Sequence, residues 1–131
     1  MVHEKRVLLD TCAVLWLASG HKALSSAARS AIEHSSMAFV SAISAWELSL
    51  RADRGQLELP LPAAQWIQEV LKHHRLTSVP LDVDILVAAN QLPWHHRDPA
   101  DRFIIATARR EKAAVITRDK RFAAYDVRII S

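Results

Sequence analysis

Arg6-Val7-Leu8-Leu9-Asp10-Thr11-Cys12-Ala13-Val14-Leu15-Trp16-Leu17-Ala18 decides how this chain is built. Arg6–Leu9 ends in an apolar run suited to a buried strand, and Thr11–Ala18 continues at once as a helix. Asp10 stands at the junction, where a carboxylate can cap the helix. A strand that feeds straight into a helix is the opening of a β-α-β unit. The stretch therefore predicts an α/β protein.

The alternation recurs downstream. Ser25 or Ser26 caps a helix through about His34, and Met37–Val40 forms a second strand. Ser44–Arg54 is helical, with Gly55 as its stop. Leu59-Pro60-Leu61-Pro62 breaks the chain, and Pro62 suits the first turn of a helix to about His74. Trp66, Ile67, Val70 and Leu71 share one face of that helix. Thr77–Val79 is a third strand, Asp82 caps a helix through about Gln91, and Leu92–Arg97 is a loop. Ala100–Lys112 is a helix whose Phe103, Ile104 and Ala108 face the core. Ala114–Thr117 and Val127–Ile130 are strands, joined by a short helical turn at Lys120–Ala124. The expected architecture is a central, mostly parallel sheet of four to five strands flanked by helices, with right-handed crossovers. No repeat or long linker divides it, so residues 1–131 are expected to form a single domain.

Composition narrows the function classes. The chain has 131 residues, half of them hydrophobic and 24% charged, which suits one folded core rather than disorder. Its glycines are Gly20 and Gly55, so a glycine-rich phosphate loop is excluded. The single cysteine, Cys12, cannot pair internally and reads as a small core residue. The N-terminal run is interrupted by Asp10, which argues against a signal peptide. No stretch reaches the roughly 20 apolar residues of a membrane span. A cytoplasmic location is the expectation. The formal charge is +3 and the pI about 9.4. If carboxylates are sequestered by metal, the remaining surface is basic and suits a polyanion.

Asp10, Glu47, Asp101 and Asp119 each fall where a predicted strand ends or the next helix begins. In an open parallel sheet that is the edge where ligands collect. Converging carboxylates repel one another, and a hard divalent cation such as Mg²⁺ relieves the repulsion. Capping is the competing reading for each. Asp10 caps the first helix. Ser44-Ala45-Trp46-Glu47 has the form of a capping box. Asp98-Pro99-Ala100-Asp101 is helix-start chemistry, and Asp119 holds a turn. The proline after Asp98 makes it the better N-cap candidate, a cap or supporting group with direct ligation as the alternative, and leaves Asp101, one turn on, as the preferred ligand projecting into the site.

The segments LLDTCAVLWL, SAISAWELSL, HHRDPADRFIIATA and VITRDKRF, in this order, resemble the PIN-domain nucleases, and among them the VapC-type toxins of toxin–antitoxin pairs. The resemblance runs from Val7 to the last strand, and DPADRFIIATA is its most specific piece. It implies a three-layer sandwich and an acidic quartet of Asp10, Glu47, Asp101 and Asp119. It places Thr11 and Thr117 at small hydroxyl positions beside the quartet. It implies an Mg²⁺- or Mn²⁺-dependent endoribonuclease; within the quartet Asp10 and Asp101 are assigned as the main ligands, and Glu47 and Asp119 are expected to ligate, to orient water or to act from behind the ligands. An antitoxin and a homodimer are the implied partners.

Arg102, Arg118, Lys120 and Arg121 flank the acids and are candidates to grip RNA phosphates. His95, His96 and Arg97 are candidates to border an RNA groove. His73-His74-Arg75 ends its helix, as Arg109, Arg110 and Lys112 do theirs. Trp16, Trp46, Trp66 and Trp94 are assigned first to core packing, with a partner groove as the alternative. Other functions fit less well. A haloacid-dehalogenase-like phosphatase wants an aspartate where Cys12 stands, and a phosphorylation receiver wants an acidic pair where Asp10 is alone. A basic RNA-binding module that never cleaves remains open at this point.

Overall fold

The computed structural model describes residues 5–95 and 98–131. The chain runs β1 (Arg6–Leu9), α1 (Thr11–Ser19), α2 (Ser26–His34), β2 (Met37–Ser41), α3 (Ala42–Asp53), α4 (Ala63–His73), β3 (Thr77–Val79), α5 (Val83–Gln91), α6 (Pro99–Glu111), β4 (Ala114–Ile116), a 3-10 turn (Lys120–Ala124) and β5 (Ile129–Ile130). The five strands form one sheet in the order β3-β2-β1-β4-β5. Every pairing is parallel, with Leu8 level with Phe39 on one side and Val115 on the other.

Alternation along the strands builds two cores. Val7, Leu9, Val40 and Ile116 face one side and are covered by α1 to α4 through Val14, Ile32, Leu48, Trp66 and Val70. Leu8, Phe39 and Val115 face the other, against Ile85 of α5, Ile104 and Ile105 of α6, and Phe122. Period-two side-chain direction makes both faces of a parallel strand apolar, which is why β1 reads as a continuous apolar run. The three-layer expectation is met. Among the described residues no helix is long and apolar enough to cross a membrane.

Two helix starts differ from expectation. Ser41, not Ser44, caps α3, accepting the Ile43 N–H at 3.2 Å. Ser41 closes β2 with extended backbone, so the helix begins immediately, without a loop. Ser44-Ala45-Trp46-Glu47 is therefore no capping box: it lies inside the helix, with Ser44 fully buried. Pro62 sits just before α4 at φ −51° and ψ 143°, not in its first turn. Its ring offers no side-chain oxygen, and the helix starts without a side-chain cap. β5 is also shorter than expected, excluding Val127. Gly55 does adopt the left-handed conformation, φ +70°, that ends α3.

The strand order positions the site. From β1 the chain first moves outward through β2 and β3, then returns to lay β4 on the other flank of β1. The crevice between diverging connections lies at the carboxyl ends of β1 and β4, where α/β sheets place their ligands.

Candidate metal centre

Asp10 follows β1 at this crevice and is only 8% exposed. Its Oδ1 accepts the Ala13 N–H at 2.8 Å, so it does cap α1. Its backbone N–H donates to the Ile116 carbonyl at 3.1 Å, which fixes the end of β1 to β4. Burial pushes its pKa up; hydrogen bonds from Thr117 and Ala13 oppose that, while the charges of Asp119 and Glu47 add to it. Capping and membership of the acidic cluster are thus compatible. The cap uses one face of the carboxylate, and the cluster feels its charge.

Glu47 projects from α3. Its Oε1 accepts a short hydrogen bond from Thr11 Oγ1. Thr11 Oγ1 also lies 2.9 Å from Ser44 Oγ, one turn before Glu47 on α3. Thr11, at the first position of α1, therefore ties the two helices together and orients the glutamate. Thr117 does the same between Asp10 and Asp119. It is fully buried, bonds to Asp10, and accepts the Asp119 N–H at 3.0 Å. Both threonines implied by the family resemblance hold acids in place.

Asp119 follows β4 and caps the 3-10 turn, accepting the Arg121 N–H at 3.0 Å. The Arg121 guanidinium also clasps it, Nε to Oδ1 at 3.0 Å and Nη2 to Oδ2 at 2.8 Å. Asp98 caps α6 through the Ala100 N–H at 3.0 Å, as the proline beside it suggests. Asp101 lies in the first turn of α6, half-buried. Its pKa is pushed up to about 7, first by burial, then by the charges of Asp98, Glu47, Asp10 and Asp119. The four expected acids, with Asp98 beside them, thus share one electrostatic field. Among the described residues no three His, Cys, Asp or Glu side chains form a preformed metal cage. An ion that keeps several waters and takes one or two carboxylates directly does not need one.

The basic residues divide. Arg102 was expected to grip RNA and does not: it is 2% exposed. Its guanidinium donates to the carbonyls of Ala89 at 2.7 Å, Leu92 at 2.8 Å and Pro93 at 2.9 Å, and lies 3.7 Å from the Trp94 ring centroid. The carbonyls at a helix C-terminus lack partners within the helix, and Arg102 supplies them for α5. Its place among Ile105 and Ala106 at helical spacing was the signal that it faces inward. Arg121 is committed to Asp119. Arg118 and Lys120 are exposed, and Arg118 Nη1 reaches the Ala23 carbonyl at 3.4 Å. His95 is exposed and packs edge-on against Tyr125. His96 and Arg97 lie outside the described residues.

Cys12 is half-buried, and burial, then the Asp10 charge, raises its pKa. It belongs to neither of the two cores, contrary to the expectation of a small core residue. The tryptophans also divide. Trp66 is in the core and Trp16 packs against it, whereas Trp46 and Trp94 are exposed. The core-packing expectation fails for Trp46 and Trp94, because a tryptophan count carries no facing information.

The raised Asp101 makes a stability prediction. An acid with a raised folded pKa holds its proton more tightly folded than unfolded. Stability of the metal-free protein therefore falls as pH rises from the ordinary value of 3.8 to about 7, and stays low above it. Asp101→Asn removes the penalty. In EDTA it is expected to stabilise the protein by roughly 1–2 kcal/mol near pH 8, after allowing for solvent screening, and by less near pH 5. Thermal melting at both pH values checks this; an equal or negative effect at the higher pH refutes it.

A parallel sheet with several carboxylates gathered at its switch point defines an α/β protein with an acidic site at one edge. The model of the PIN domain family matches residues 7–128, and the chain belongs to that family. It is 35% identical to Ribonuclease VapC22 of Mycobacterium tuberculosis over 120 residues, 91% of each chain. Its fold is similar to a toxin–antitoxin complex from Klebsiella pneumoniae, with TM-score 0.66 and 22% identity over 95% of this chain and 96% of that one. It is also similar to VapBC2 from Rickettsia felis bound to a promoter DNA fragment, with TM-score 0.70 and 13% identity over 95% and 96%. At such identities the likeness to solved structures is one of fold.

Proposed function

We propose that this chain is an Mg²⁺- or Mn²⁺-dependent endoribonuclease, hydrolysing RNA phosphodiester bonds as the toxin of a toxin–antitoxin pair. Asp101 carries the reading. A helix N-terminus already favours its anion, yet its pKa stands near 7, first because it is buried and then because the charges of Asp98, Glu47, Asp10 and Asp119 add to the shift. Carboxylate oxygens gathered in this way suit a hard cation. The name of the VapC22 relative supports RNA as substrate, and the titles of the structural neighbours support an antitoxin partner.

Asp10 and Asp101 would hold the metal, with Glu47 and Asp119 as further ligands or as acceptors orienting its waters. When bound, the cation neutralises phosphate charge and lowers the pKa of a coordinated water. Thr117 keeps Asp10 and Asp119 in register, and the Thr11–Ser44 pair aims Glu47. Asp98 completes the α6 cap that presents Asp101. Arg121 neutralises Asp119, and the exposed Arg118 and Lys120 lend the crevice mouth the positive charge an incoming phosphate needs. The exposed α5 side chains Val83, Leu86 and Val87 are the surface we assign to protein partners, the antitoxin or a second copy.

Purified protein is expected to fragment single-stranded RNA with Mg²⁺, to stop in EDTA, and to resume when Mn²⁺ is added. Gel analysis of labelled RNA reads the outcome. RNA retained intact by protein with Mg²⁺ present would replace this reading with that of a binding module.

A further inference from the structure

An apolar groove opens beside the acidic crevice, between α3 and α6. It measures about 570 Å³, and its lining includes Ile43, Trp46, Leu81, Pro99 and Phe103. Glu47 and Asp98 line the same groove. Trp46 is 58% exposed there, a large aromatic surface left in water one residue before an acid of the site. Folding alone does not explain it, because an indole at that position buries little.

We propose that this groove takes a nucleobase of single-stranded RNA next to the phosphodiester held at the acids, with Trp46 as its stacking platform. The proposal rests on the nuclease reading and adds the subsite beside the reacting phosphate. Continuity carries it: the groove and the acid cluster share Glu47, so a strand seated at the carboxylates places its neighbouring unit in the groove. Charge decides which unit. The groove's own charged lining is Glu47 and Asp98, which disfavour a second phosphate there, whereas a base is neutral, flat and apolar on its faces. Unstacked bases on aromatic side chains are how proteins commonly hold single-stranded RNA, and every base has a face to offer. The platform therefore selects unpaired RNA over a duplex, in which the bases stay stacked on one another.

The test uses Asp10→Asn protein so that the RNA stays whole, with affinity read by fluorescence anisotropy. Adding Trp46→Ala is expected to weaken binding of a single-stranded oligonucleotide by about tenfold, and Trp46→Phe by clearly less. With Trp46 present, an abasic ribose scanned along the strand should weaken binding at one position. With Trp46→Ala, that position should no longer matter. Equal binding with and without the indole overturns the pocket. So does a Trp46→Ala loss that persists on every abasic strand, which would make the groove a site for something else, such as a peptide. The abasic scan on Trp46-containing protein stands even if a variant folds poorly. RNA cleavage unchanged by Trp46→Ala overturns the pocket alone. Base-dependent binding without any cleavage by the unmutated chain overturns the nuclease reading alone, and absence of RNA binding overturns both.

Discussion

Asp10→Asn is expected to lower RNA cleavage on the order of 10³-fold while leaving the fold intact. Asparagine keeps a side-chain oxygen for the Ala13 N–H, so the α1 cap survives. It removes a buried charge whose pKa is already raised by burial, so stability should hold or rise. What disappears is an anion at the centre of the crevice. Residues that merely orient metal ligands cost about 10–100-fold when changed, so a ligand should cost more. Single-turnover cleavage of a labelled RNA, beside thermal melting of both proteins, separates chemistry from folding. A variant that melts normally and cleaves within tenfold of the unmutated chain would remove Asp10 from the reaction.

Much of this site is legible in the residue order. Asp10 follows Val7-Leu8-Leu9 without a loop, so strand end and carboxylate come together in the sequence itself. Asp98 before Pro99 identifies a cap, and Asp101 is left one turn inward. Convergence of the acids is not legible, because it needs β1 to lie between β2 and β4. Short apolar runs such as Ala114–Ile116 carry no sign of their neighbours. The start of α3 differs from the sequence expectation for a local reason: Ser41 and Ser44 can both cap, and only the length of β2 decides between them. Arg121 offers a different lesson. Its nearest opposite charge is Asp119, two residues back, and a short-range pair forms before any ligand arrives.

Arg102 was hidden for a longer-range reason, since its partners belong to the preceding helix and the residues after it. That makes its replacement the severest test of the fold. Arg102→Met is expected to destabilise the protein by about 3 kcal/mol, because methionine fills part of the space but donates nothing. The carbonyls of Ala89 and Leu92 would then stay buried without a charged donor, and the contact with the Trp94 ring would be lost. Arg102→Lys should recover little: one ammonium cannot reproduce a planar fork reaching several carbonyls. Urea unfolding reads this as a lower midpoint with an unchanged slope. A loss under about 1 kcal/mol would mean that water satisfies those carbonyls as well as the guanidinium does. The consequence also reaches the site. Arg102 ties the end of α5 to the first turn of α6, and Asp101 is the residue before it. Loosening that tie frees Asp101, so Arg102→Met should lose cleavage below its melting point as well as stability.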